Sequence, residues 1–175
     1  MSWFGDTSLT PLQETKTGGW HRLTPQTVNT VGAPSTVSIA WSTPSGDTTT
    51  ISHNTPNGAN FTVNTTGVYL LTLQVSYASL GSATLTDRTL RTAVTVTRGA
   101  GTSAIIQGNY DFVDNVPASP AVTSSAVYQL NQGDQLFFQV SQYLQTGSFQ
   151  LQGPSAAPNA FDYNTYWTWT LLKEL

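Results

Sequence analysis

Apolar and polar residues alternate at period two through most of this chain, and the longest instance is Phe61 to Tyr77, FTVNTTGVYLLTLQVSY. A short run ends at Val63, Asn64-Thr65-Thr66-Gly67 forms a tight polar connection, and a long strand follows. In that strand Tyr69, Leu71, Leu73, Val75 and Tyr77 share one face, because successive side chains of a strand point to opposite sides. The other face carries Val68, Leu70, Thr72, Gln74 and Ser76, apolar at its start and polar afterwards. One face therefore makes core, and the start of the other needs cover. Gly67 stands where the chain turns into the strand, which predicts a positive φ that glycine alone adopts at no steric cost.

The same pattern recurs in short runs broken by turn residues about every ten positions, the signature of a sandwich or barrel. Val37, Ile39 and Trp41 alternate, and Pro44-Ser45-Gly46-Asp47 predicts a turn. Thr48 to Ser52 is β-branched and half polar. Leu90, Thr92, Val94 and Val96 alternate against Arg91, Ala93, Thr95 and Thr97, and Gly99 to Gly101 ends that strand. Runs follow at Ser103–Phe112, Val122–Leu130 and Leu136–Tyr143, then a short one at Phe149–Leu151 and a closing one at Thr165–Leu172. No helix pattern of useful length and no internal repeat interrupts them. The expectation is an all-β, jelly-roll β-sandwich of about ten antiparallel strands.

Residues 1–34 read differently. Trp3, Phe4, Leu9, Leu12, Trp20 and Leu23 are separated by Gly5, Pro11, Gly18-Gly19, Pro25 and Gly32, with no sustained period. The chain thus divides into an extended N-terminal arm, 1–34, and a jelly-roll domain, 35–175. Trp3 and Phe4 are the candidate anchors of the arm on a neighbouring subunit or a larger scaffold; the other reading is a first strand lying on its own barrel.

The spacing of Phe61, Gly67, Tyr69, Leu71 and Leu73 resembles the signature of the complement-type globular head and tumour necrosis factor superfamily, with leucine at 71 and 73 where that family usually has aromatics. Leu130-Asn131-Gln132-Gly133-Asp134-Gln135-Leu136 is similar to its glycine-aspartate turn, and Tyr166-Trp167-Thr168-Trp169-Thr170-Leu171-Leu172 to its closing strand. The resemblance covers about residues 35 to 175 and implies a jelly roll that assembles as a tight homotrimer. It names no ligand.

Charged residues are 9% of the chain against about 25% in an ordinary globular domain. Fifteen charges over 175 residues suit a protein that buries much of its surface in an oligomer, or else a neutral, threonine-rich β surface. An aromatic content of 11% argues for a folded chain. Six basic residues against nine acidic, with no basic run, argue against a nucleic-acid partner. Cysteine is absent, so packing and assembly carry the stability. No apolar segment reaches membrane-spanning length and no signal-like start is present, which predicts no membrane association.

The exposed apolar positions Leu70, Phe137 and Tyr166 are the candidate trimer interface. No catalytic, cofactor-binding or metal-binding constellation emerges, so the chain is expected not to be an enzyme. His21 and His53 are the only histidines and have no ligand at metal spacing, although a threefold axis would bring three copies of one together. Asp111 and Asp114 supply too few oxygens for calcium. The glycosylation-like triplets at Asn60 and Asn64 read as coincidence. Tyr110, Phe112, Tyr143, Phe161 and Tyr163 are aromatics in or beside loops that could stack on sugar rings.

These features predict a structural virion protein, a trimeric cement or decoration protein on the exterior of a phage capsid. Its partners would be itself and the major capsid protein or another virion protein. The alternative is a receptor- or carbohydrate-binding trimeric knob of a fibre or surface protein, with a host surface glycan as partner.

Overall fold

The computed structural model describes residues 15–28, 35–55, 58–77, 84–85, 89–111, 121–142, 144–146, 149–151 and 165–175. Its fifteen strands are β1 Thr17–His21, β2 Gln26–Val28, β3 Ser35–Ser38, β4 Thr43–Gly46, β5 Ile51–His53, β6 Asn60–Val63, β7 Gly67–Ser76, β8 Thr84–Leu85, β9 Thr89–Arg98, β10 Gly101–Asp111, β11 Ala121–Leu130, β12 Gln135–Gln142, β13 Leu144–Thr146, β14 Phe149–Leu151 and β15 Tyr166–Glu174. One sheet has the order β11-β7-β15-β1-β4, the other β10-β9-β12-β6-β5 with β3 also on β12. Every strand pairing is antiparallel, and two small two-stranded pairs, β13-β8 and β14-β2, stand beside them. The architecture is the expected all-β jelly roll, and ten of its strands are four residues or longer.

The inward positions are those the alternation picked out. Tyr69, Leu71, Leu73 and Val75 are buried from β7 and Tyr77 just after it, Leu136, Phe138 and Val140 from β12, and Trp167, Trp169 and Leu171 from β15. Four rings from the two sheets meet at the centre. Trp20 and Trp167 of the five-stranded sheet stack at 5.2 Å, and Phe61 and Phe138 of the other sheet lie 4.8 and 4.5 Å from Trp167. Such offset and edge-on contacts add to the gain from area buried.

Three expectations need correction. The arm does not extend to residue 34: β1 lies between β15 and β4, and Trp20 is 2% exposed in the core. Gly18-Gly19 is part of that strand because a side chain at either position would collide with Trp169 or with the Trp167 backbone. Trp3 and Phe4 lie outside the described residues. Pro44-Ser45-Gly46 is not a turn but part of edge strand β4, where a missing N–H is tolerated. The chain crosses between sheets before it: Ile39 N still bonds Phe138 O of the six-stranded sheet, and Ser42 N already bonds His21 O of the other. The turn follows at Asp47, whose carboxylate accepts from Thr49 N at 2.7 Å.

The third correction concerns Gly67. Positive φ occurs at Gly46, Gly99 and Gly133 but not at Gly67. A Cβ on Gly67 would instead meet Leu171 Cδ1 at 2.5 Å and Lys173 O at 2.7 Å. Glycine is needed there for the close approach of β15, not for the turn.

Scarce charges tie strand ends together. Asp134, 2% exposed, accepts from Arg98 Nε at 2.9 Å and Nη2 at 2.5 Å and from Asn131 N at 2.9 Å. Arg22, also buried, donates Nε and Nη2 to Thr24 O, and Nη1 to Gln26 Oε1 and Ala40 O. Burial lowers its pKa. Burial alone would raise the Asp134 carboxyl, but donation from Arg98 and Asn131 outweighs it and holds the group below its ordinary range. Asp47 behaves alike: bonds from Thr50 and Thr49 overcome burial and bring it from 3.8 to about 2.

Gly67→Ala is expected to destabilise the fold by about 1–3 kcal/mol through overpacking against Leu171. An unchanged urea midpoint would show that β15 can move aside. The two depressed carboxyls contribute stability that is complete above their unfolded pKa and lost as pH falls through the folded value, for Asp47 between 3.8 and about 2. The thermal midpoint is therefore expected to drop on acidification below about pH 4. Asp134→Asn is expected to lower the midpoint at neutral pH and to flatten that acid dependence, both read by circular dichroism.

Candidate assembly face

With the inward positions of the five-stranded sheet fixed by the core, register decides what its outer face displays. One row across the strands is Val127, Leu70, Thr170 and Thr17. The next is Ser125, Thr72, Thr168, Gly19 and Ser45, and the third Thr123, Gln74, Tyr166, His21 and Thr43. None of these residues is an acid, a lysine or an arginine. The Val127–Leu70 row is apolar, its side chains 60% and 37% exposed; on one side of it lies a further row of Gln129, Val68 and the cation Lys173, and on the other the face is hydroxyl-rich.

The polar end of this face bonds within itself. Thr72 and Ser125 hydroxyls are 2.9 Å apart, and Gln74 Oε1 accepts from Thr123 Oγ1 and from the Tyr166 hydroxyl, each at 3.2 Å. The His21 and Tyr166 rings lie 5.8 Å apart. Groups already paired on the surface lose less on leaving water than unpaired ones, so the face is suited to burial. Charges stand at its rim, where Lys16 and Glu174 form an exposed pair at 3.8 Å.

One side of the molecule adds a second feature. β11 and β10 end their sheets there, and beyond them neither has a further partner strand among the described residues. They approach at Gly108, where a Cβ would meet Thr92 Oγ1 at 2.7 Å and Val122 Cγ1 at 3.0 Å. β11, AVTSSAVYQL, is ten residues without a charge or a proline. A long, neutral, unpaired edge invites association unless something covers it.

The three candidate interface residues do not form one patch. Leu70 and Tyr166 share the outer face of the five-stranded sheet but lie two rows apart. Phe137, half-buried between Thr95 of β9 and Asn60 of β6, points out of the opposite sheet. Period two shows that a residue faces outward, not from which sheet. Val127 was missed because it is the one apolar residue on its face of the run Val122–Leu130, among Thr123, Ser125 and Gln129.

The candidate chemistry gains no centre. His53 Nε2 lies 3.0 Å from Gly58 O, and Asn64 Nδ2 donates to Thr49 O and Ser52 Oγ. Among the described residues no three His, Cys, Asp or Glu gather as for a metal, and no helix is long and apolar enough to cross a membrane. Phe112, Asp114, Tyr143, Phe161 and Tyr163 lie outside the described residues, as do the side chains of Tyr110 and Asp111.

No protein-family model matches the chain, and no curated protein matches its sequence. Solved structures do match. Murine APRIL at pH 8.0 aligns over 90% of this chain and 100% of its own, with TM-score 0.58 and 16% identity. The Eiger TNF of S. frugiperda aligns over 90% of this chain and 92% of its own, with TM-score 0.58 and 18% identity. The globular domain of the zebrafish complement 1qA protein aligns over 91% of this chain and 99% of its own, with TM-score 0.56 and 12% identity. At such identities the likeness is one of fold, and the fold is the jelly roll of the tumour necrosis factor-like and complement globular-head domains.

Proposed function

We propose that the chain is a homotrimeric structural domain whose trimers decorate the exterior of a virus particle, as a capsid cement protein bound to the major capsid protein or another virion protein. The observation that carries assembly is the charge-poor outer face of the five-stranded sheet, where the exposed Val127–Leu70 row lies beside the neutral edge of β11 and Lys173 is the one charge, opposite Val68. A face and an edge are different surfaces, so contact between them is heterologous and forms a ring when the rotation between copies closes. Three is the number the family resemblance implies. The virion setting draws its support from composition: few charges, no cysteine, and aromatic anchors in the N-terminal segment. The reading is structural rather than catalytic.

Light scattering at micromolar concentration is expected to give three times the chain mass of 18.8 kDa. Val127→Asp and Leu70→Asp should each reduce that mass, while Phe137→Asp, on the opposite sheet, should leave it unchanged. A monomer for the unaltered chain, or equal disruption by all three, would remove this face from assembly.

Attachment is assigned to residues 1–14, ahead of β1, with Trp3 and Phe4 as anchors. A buried aromatic anchor contributes about 2 kcal/mol or more, and three copies on one trimer reinforce one another. Deleting residues 1–14 is expected to preserve the trimer mass and unfolding midpoint while occupancy on capsids, read by gel densitometry of purified particles, falls steeply. Full decoration by the shortened chain would move attachment to the barrel.

A further inference from the structure

Opposite the β10–β11 side, the edge strands β4 and β5 and the loop between them border an open pocket of about 370 Å³. Trp20, Ser42, Pro44, Thr48, Ser52 and His53 line it. The volume falls in the range of small-molecule sites.

The lining has a definite chemistry. None of the six residues is an acid, a lysine or an arginine, so nothing there neutralises a phosphate, sulfate or carboxylate. The His53 ring is held in place: it stacks on Phe61 at 4.5 Å and 14°, lies 6.1 Å from Trp20, and sets Nε2 3.0 Å from Gly58 O. A carbonyl accepts only, so the neutral imidazole carries its proton on Nε2 and keeps Nδ1 as an acceptor. The Ser52 side chain projects from the opposite face of β5 to His53, where its Oγ accepts from Asn64 Nδ2 at 3.0 Å. Ser42 Oγ is already spent, accepting from Leu23 N and donating to His21 O. The Thr48 hydroxyl is exposed. The pocket thus offers the Thr48 hydroxyl and a fixed acceptor beside the His53 ring and the exposed apolar surface of Pro44.

A ligand that matches must be neutral, donate and accept through neighbouring groups, and present a C–H face. We propose that this pocket binds a neutral sugar ring, such as one unit of a surface glycan. An added peptide strand fits poorly, because Pro44 removes an N–H from the β4 edge. The pocket lies on the side of the sandwich away from β11.

The test is a titration of the isotope-labelled full chain with methyl glycosides of glucose, galactose and mannose, and with N-acetylneuraminic acid as the charged probe. The expected result is saturable shifts of the His53, Ser52 and Thr48 amides with at least one neutral glycoside and weaker ones with the charged sugar. Thr48→Val, at an exposed position, should weaken binding about five- to tenfold, the loss of one hydrogen bond, without moving the melting temperature. His53→Gln, checked for folding by its melt, should weaken it further. No saturable shift with any neutral glycoside, shifts elsewhere on the molecule, equal affinity for the charged sugar, or full binding by Thr48→Val would each overturn the proposal.

Discussion

The contact between the two sheets at Trp20, Trp167, Phe61 and Phe138 is the constraint on which the rest of this structure depends. Two rings come from neighbouring strands of one sheet and two from neighbouring strands of the other, all within 5.4 Å of a partner in the cluster. Once those four point inward, period two leaves no freedom: every second residue of β1, β6, β12 and β15 is committed to the core, and the residues between are committed to the surface. The neutral face with Tyr166, His21 and Thr168 exists because Trp167, Trp169 and Trp20 took the other side. A one-residue slip of β15 would put two tryptophans in water and three polar side chains in the core. Indole N–H groups of Trp41, Trp167 and Trp169 are buried without a hydrogen-bond partner, so these rings are retained for the area they bury rather than for polar contacts.

Charge is spent at strand ends, which is why the faces can do without it. Arg98 and Asp134 close the gap between the end of β9 and the turn that begins β12, and Arg98 also reaches Gln129 O at the end of β11. Arg22 joins the end of β1 to the segment that crosses between sheets at Ala40, and Gln26 shares the work by donating to Ser38 O and accepting from Ala40 N. These bonds satisfy backbone carbonyls where the ladders run out, and a buried carbonyl left unpaired would cost about as much as a lost hydrogen bond. By contrast, Lys16–Glu174 is half exposed on both sides and adds little.

How much of this was legible depended on whether the reason for a residue lay within its own strand. Tyr69 to Tyr77, Thr92 to Val96 and Leu136 to Val140 were read correctly because alternation is a local property. β1 was not, since Gly18-Gly19 looks like a break until the tryptophans of β15 are laid beside it. Pro44 looks like a turn until β4 is known to be an edge. Gly67 was singled out for the wrong cause: its partner, Leu171, is 104 positions later in the chain. The candidate interface residues show the same limit, Phe137 being outward as expected but from the other sheet. The pocket left no mark at all, because its lining comes from β1, the crossing segment at Ser42, β4, β5 and the loop between the last two, and only the fold brings them together.

The two sides of the sandwich are unequal for a physical reason. At the β10–β11 side Gly108 lets the edges touch, so the sheets close and present a smooth neutral margin. At the other side the edges are β4, which contains Pro44, and the three-residue β5, and the loop joining them is held by Asp47 through Thr49 and Thr50 rather than by a ladder. Short strands and a side-chain-tied loop cannot seal the gap between sheets, and the half-buried His53 is left at the bottom of an opening with Trp20 buried behind it. The closed side has the length and neutrality that packing against another copy requires. The open side has the concavity and mixed polarity that a small ligand requires, so the β11 edge and the pocket fall on opposite margins of the sandwich.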